Sequence, residues 1–128
     1  MPNVLIVDDE QHILTSLRRL LRAEPYELLL EPDPARVREI LATHAVDVVL
    51  SDYKMGAVSG LDVLSAVAEL QPHARRLIIS GYGEEIPADP LEAVGLYCPP
   101  LRKPPDPEEL KSLLRAAVEA HPDALPAP

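Results

Sequence analysis

Short runs of consecutive apolar residues constrain this chain most. VLIV (4–7), YELLL (26–30), DVVLS (47–51) and RLIIS (76–80) are each too short for a core helix and do not alternate with polar residues. A strand with one wet face alternates, so runs like these predict a sheet covered on both sides. GLYC (95–98) is a weaker candidate for a fifth strand. Between the runs lie helical patterns. Ile13, Leu14, Leu17, Leu20 and Leu21 form one apolar stripe at helical spacing, and Leu110, Leu113, Leu114, Ala117 and Val118 form another. Asp33-Pro34 and Asp106-Pro107 each set a cap residue before a proline at the first helical position. Pro87 and Pro90 fall where a fourth helix should run, which predicts a short helix starting near Pro90 with Asp89 as its cap. Strand and helix thus alternate five times, and the predicted class is α/β with a doubly wound parallel sheet.

Composition bounds what such a fold can serve. A length of 128 residues with 47% hydrophobic content suits one core, expected over residues 1–121, with 122–128 a Pro/Ala-rich tail or linker. Acidic residues outnumber basic ones, 21 to 12, and no basic run could track a phosphate backbone, so no direct nucleic-acid partner is expected. The lone Cys98 cannot form an internal disulfide, and neither a signal peptide nor a membrane-spanning run is visible. A cytoplasmic setting is expected, away from the membrane.

Doubly wound sheets bind ligands beyond the carboxyl ends of their strands. The first run ends in Asp8-Asp9, the third in Asp52, the fourth in Ser80, and Lys103 follows the fifth. Carboxylates gathered there raise one another's pKa unless a cation intervenes, and magnesium, with few protein ligands and a taste for phosphate, fits that role. Asp52 could then attack phosphorus as a nucleophile while Ser80 and Lys103 hold the oxygens of the transferred group. Taken singly these residues have plainer readings: Asp8 or Asp9 as a helix cap, Ser80-Gly81 as a turn opener, Lys103 as a solvated surface residue. His12, His44, His73 and His121 lack ligand spacing, so no zinc site is expected.

VLIVDDE, VVLSDYKMGAVSGLDVL, RRLIISGY and LRKPPDPEEL, in that order, resemble the receiver (CheY-like) domain of bacterial two-component response regulators up to about residue 120. The resemblance implies a five-stranded, flavodoxin-like sheet of order 2-1-3-4-5. It implies phosphoryl transfer from a histidine kinase or phosphotransfer protein onto Asp52. It implies magnesium (Mg2+) held by Asp9, Asp52 and the backbone carbonyl of Lys54, with Asp8 acting mainly through water. Ser80 would move toward the phosphoryl oxygen, and Lys103, before a cis proline bond, would pair with carboxylate or phosphate. Switching of the helix 4, strand 5, helix 5 face would address an output domain or protein, and a phosphorylation-dependent dimer is possible in such a scheme. Lys54 and Tyr82 occupy positions that tune the lifetime of the aspartyl phosphate, and slow hydrolysis is expected.

The chain departs from the pattern at three places. Gly56 follows Met55 where the family usually has proline, Pro100 stands where an aromatic is common, leaving Tyr97 as its substitute, and Pro87 and Pro90 interrupt the fourth helix. A pseudo-receiver that docks without phosphorylation is therefore the alternative. A flavodoxin-like electron carrier fits less well, because Asp8-Asp9 would repel a flavin phosphate. A hydrolase with a second Asp two residues after the nucleophile is disfavoured, because that later position is Lys54. The module is expected to catalyse its own phosphorylation and dephosphorylation while turning over no metabolite.

Overall fold

Val4, Leu5, Ile6 and Val7 are at most 2% exposed, which requires cover on both faces of strand β1 (Asn3–Val7). The computed structural model describes residues 1–81 and 83–120. After β1 come α1 (Gln11–Leu21), β2 (Glu27–Glu31), a 3-10 turn at Pro34–Arg36 leading into α2 (Val37–Thr43), and β3 (Val48–Asp52). A short ribbon, β4 (Lys54–Met55) and β5 (Val58–Ser59), precedes α3 (Gly60–Leu70), and β6 (Arg75–Ser80), α4 (Ala88–Val94), β7 (Leu101–Arg102) and α5 (Pro107–Glu119) complete the order.

The sheet order is β2-β1-β3-β6-β7, and every pairing in it is parallel. With the antiparallel β4–β5 ribbon set aside, this is the predicted order 2-1-3-4-5. Because strand side chains alternate between faces, the sheet sorts its own residues into two layers. Leu5, Val7, Val49 and Ile78 pack with α2, α3 and α4, whereas Val4, Ile6, Leu50, Leu77 and Ile79 pack with α1 and α5. Leu14, Leu21, Leu110 and Leu114 close the second layer, each burial stabilising by roughly 1.5–3 kcal/mol.

Local chemistry sets the helix starts. Asp33 caps the turn before α2, its Oδ1 accepting from Ala35 N–H at 3.0 Å. Asp106 occupies the cap position of α5 ahead of Pro107, though its side chain makes no capping bond. Ser59 and Asp62 form a reciprocal capping box at α3.

Two expectations are corrected. GLYC (95–98) is not a strand: only Tyr97 N–H makes a sheet-like bond, to the Arg76 carbonyl at 2.8 Å, and pairing resumes at Leu101–Arg102 opposite Ile79 and Ser80. Pro99 and Pro100 carry no N–H to donate, so a ladder cannot form across them. The fourth helix is short as expected, but it begins at Ala88 with Pro87 as its cap residue, so neither Pro90 nor Asp89 marks its start. Pro90 is the third helical residue, where an N–H would have no intrahelical acceptor, and its ring costs no hydrogen bond. Asp89, inside the first turn, favours the positive end of the helix dipole. The tail at 122–128 lies outside the described residues.

Candidate functional site

Parallel register brings the first and third strand ends together. Val7 pairs with Ser51, and the register carried one residue further sets Asp8 beside Asp52. Both side chains point to the α1 and α5 layer, following Ile6 and Leu50 in alternation. Asp8 is 2% exposed and Asp52 5%, so two carboxylates share a nearly dry rim.

One ammonium holds them. Lys103 Nζ lies 3.1 Å from Asp8 Oδ2 and 3.1 Å from Asp52 Oδ2. Its backbone N–H donates to the Ser80 carbonyl at 2.9 Å, fixing the stem of the lysine to the end of β6, and the Lys103-Pro104 bond is cis. Asp8 Oδ1 accepts from Glu10 N–H at 2.9 Å, so Asp8 shapes the turn into α1 while its other oxygen faces the lysine. Glu10 is the cap residue of α1, and no Asp side chain caps that helix.

One cation against two buried anions leaves charge uncompensated. Burial, then the neighbouring Asp8 charge, raises the Asp52 pKa to about 6; Lys103 works against this and Glu84 adds to it. Burial opposes the Lys103 ammonium, but hydrogen bonds to Asp52 and Asp8 outweigh it and hold the lysine pKa above its ordinary value. Such a site gains from a further cation. Carboxylate oxygens of Asp8, Asp9 and Glu10 lie within 4.8 Å of one another, with Asp9 and Glu10 exposed. These are hard oxygen donors beside buried excess negative charge, and they suit magnesium.

The acceptor loop is held closely. Tyr53 N–H donates to the Ile79 carbonyl at 2.9 Å, and Gly60 N–H to the Tyr53 carbonyl at 2.7 Å. A Cβ at Gly60 would overlap the Asp52 carbonyl oxygen, so only glycine lets α3 start against the end of β3. Gly56, at φ 71°, makes the turn of the β4–β5 ribbon, in which Lys54 is exposed and pairs with Ser59 while Met55 is buried. Tyr53 packs toward the α2 and α3 layer.

Ser80 is 3% exposed at the end of β6. Tyr97, half-buried, packs with Cys98 against the α1 and α5 layer. Tyr82 lies outside the described residues. Asp8, Asp52 and Lys103 are thus in direct contact, with Asp9 adjoining through the Asp8–Glu10 cluster. A cleft of about 360 Å³, floored by Ile6, Leu50 and Ile79 and walled by Leu17 and Pro105, opens beside them.

Sequence reasoning missed two contributors. Glu84 bonds back to Gly81 N–H, and Gly60 supports Asp52 through backbone contact alone. The capping signal Ser-Gly-Leu-Asp at 59–62 locates Gly60 at the first helical position, whereas nothing in the local pattern marks Glu84.

A family model described as the response regulator receiver domain matches residues 4–115. Among curated proteins, the hydrogenase transcriptional regulatory protein HoxA of Cupriavidus necator is 38% identical over 119 residues, covering 91% of this chain and 24% of the relative. HoxA of Bradyrhizobium diazoefficiens is 36% identical over 120 residues, covering 92% and 24%. The chain therefore spans about a quarter of the length of these relatives. Among solved structures, the signal receiver domain of an HD domain-containing protein from Pseudomonas fluorescens superposes with a TM-score of 0.78 at 31% identity, covering 92% of this chain and 94% of that one.

Proposed function

Because the chain belongs to the response regulator receiver domain family, we propose that it is a working phosphoacceptor: Asp52 takes a phosphoryl group from a phosphohistidine of a kinase or phosphotransfer protein. The observation that carries this reading is the bridge from Lys103 Nζ to two buried carboxylates, 3.1 Å to each, at the carboxyl rim of a parallel sheet.

The Asp52 carboxylate is the nucleophile. One of its oxygens forms a new P–O bond while the phosphorus–oxygen or phosphorus–nitrogen bond to the donor breaks, and the leaving group departs with that electron pair. Lys103, already on Asp52, neutralises charge that grows on the transferred oxygens, and Ser80 at the next strand end donates a hydroxyl to them. Asp9, Asp52 and the Lys54 carbonyl would hold magnesium, with Asp8 acting through water. The metal would supply charge neutralisation between acceptor and donor. Tyr97 serves as the aromatic that follows the Ser80 movement, and Lys54 and Tyr82 lengthen the life of the aspartyl phosphate by obstructing water.

Residues 1–121 form the receiver and 122–128 a tail or linker to an output domain or partner, in the cytoplasm. Among the described residues no helix is long and apolar enough to cross a membrane. Added charge at Asp52 shifts the packing of α4, β7 and α5. The test is intact mass after acetyl phosphate and magnesium. One added phosphoryl group, lost in Asp52→Asn, is the expected result; an unmodified wild-type chain would favour phosphorylation-independent docking instead.

A further inference from the structure

The loop after β6 carries a carboxylate that phosphoryl transfer does not use. Glu84 Oε1 accepts a 2.6 Å hydrogen bond from Gly81 N–H, and Glu84 N–H donates to the Gly81 carbonyl at 3.3 Å, closing a tight turn over the strand end. The Glu84 carboxylate would lie in ordinary contact, 3.4 Å, with a Cβ placed at Gly81, so it rests directly against the residue after Ser80. Gly81 directly follows Ser80, and Ile79 pairs with Asp52 across the sheet. The turn therefore sits beside the acceptor. Glu84 is half-buried, and its charge is near enough to Asp52 to help raise the acceptor's pKa.

Backbone N–H groups that bind an anion at a strand end are suited to a phosphoryl oxygen as well. Here the chain's own carboxylate holds one. On the reading that Asp52 is the acceptor, we propose that Glu84 is a positioning residue that restrains phosphorylation through its charge: held at the Gly81 amide beside Asp52, its carboxylate repels the incoming phosphoryl group and gives way when that group arrives.

With acetyl phosphate as donor, an Asp52 oxygen bonds to phosphorus and the bond from phosphorus to the acetate oxygen breaks, acetate leaving with the electron pair. The acceptor side chain goes from one negative charge to about two. Glu84 then faces more repulsion and a rival for its donor. Its release would loosen the link from Glu84 to Pro87, which leads directly into α4 at Ala88, so charge on Asp52 would be felt at that helix.

The experiment follows phosphorylation of the full chain by acetyl phosphate and magnesium, by intact mass against time, in wild type, Glu84→Gln, Glu84→Ala and Asp52→Asn. Circular dichroism confirms that each variant is folded, and Glu84→Gln, which keeps the shape and the acceptor oxygen, stands if the alanine variant is not. Both Glu84 variants are expected to label roughly threefold to tenfold faster than wild type, the gap narrowing only modestly near 1 M NaCl because the two carboxylates are shielded from solvent. Wild-type rates in Glu84→Gln, with labelling still lost in Asp52→Asn, would overturn this inference alone. Acceleration in the alanine variant only would mark a loosened loop and likewise overturn the role of charge. No labelling of wild type would overturn the acceptor reading and this inference with it.

Discussion

Lys103 is the only cation in contact with Asp8 and Asp52 among the described residues, and it is shared. Removing it should strand two buried anions, so Lys103→Met is expected to lose about 3–5 kcal/mol at pH 7 in denaturant unfolding. The loss should shrink as pH falls and Asp52 is protonated. Asp52→Asn should do the reverse. An acid whose folded pKa, about 6, lies above its usual 3.8 keeps a proton in the folded chain that the unfolded chain has released. Its contribution to stability is complete below pH 4 and falls away as pH rises through 6. Asp52→Asn is therefore expected to be more stable than metal-free wild type at pH 7, by on the order of 2 kcal/mol, with the difference vanishing near pH 4. Paired urea titrations across that range in EDTA measure it, and taking differences removes the other carboxylates.

Elements are tied to the site by contacts that leave no hydrophobic pattern. Gly60→Ala would drive a methyl group into the Asp52 carbonyl. The variant is expected to lose roughly 1–3 kcal/mol and most of its acetyl phosphate labelling, because the acceptor loop must shift. A stable Gly60→Ala with wild-type labelling would contradict the close approach. At the amino-terminal end of β6, Arg75 and Arg76 point to opposite faces and bind helix ends. Arg75 Nε donates to the Ala117 carbonyl of α5 at 2.7 Å, and Arg76 Nε to the Val94 carbonyl of α4 at 2.7 Å. Arg76→Ala is expected to speed amide hydrogen exchange in α4 while sparing α5, and Arg75→Ala to show the converse. The fifth strand belongs to this scale too. GLYC has the apolar character of a strand, but Pro99 and Pro100 break its ladder, and pairing moved to Leu101–Arg102, which sequence hydrophobicity ranks lower.

At the scale of the whole molecule, a formal charge of -9 and an acidic rim make the folded state a better cation site than the unfolded chain. Binding to the folded state alone raises its stability with the logarithm of ligand concentration. Millimolar magnesium is expected to raise the unfolding temperature of wild type beyond the effect of sodium at equal ionic strength, with the increment reduced in Asp9→Asn. Calorimetry measures both. The α/β class was legible without coordinates, because burial on both faces and helical stripes are local patterns encoded within a few residues, whereas the strand order came with the family resemblance. Asp8, Asp9, Asp52 and Ser80 stood out as candidates because each lies at the end of a recognisable strand, and Lys103 because it lies in the segment after the fifth. Only the tertiary structure decided how they meet. The bond from Lys103 to Asp8 spans 95 residues, and the partners of Glu84 and Gly60 depend on where loops close. A contact between groups distant in the chain, or between a carboxylate and one backbone amide, imposes no periodicity on the residues around it, so it exists only once the strands are in register.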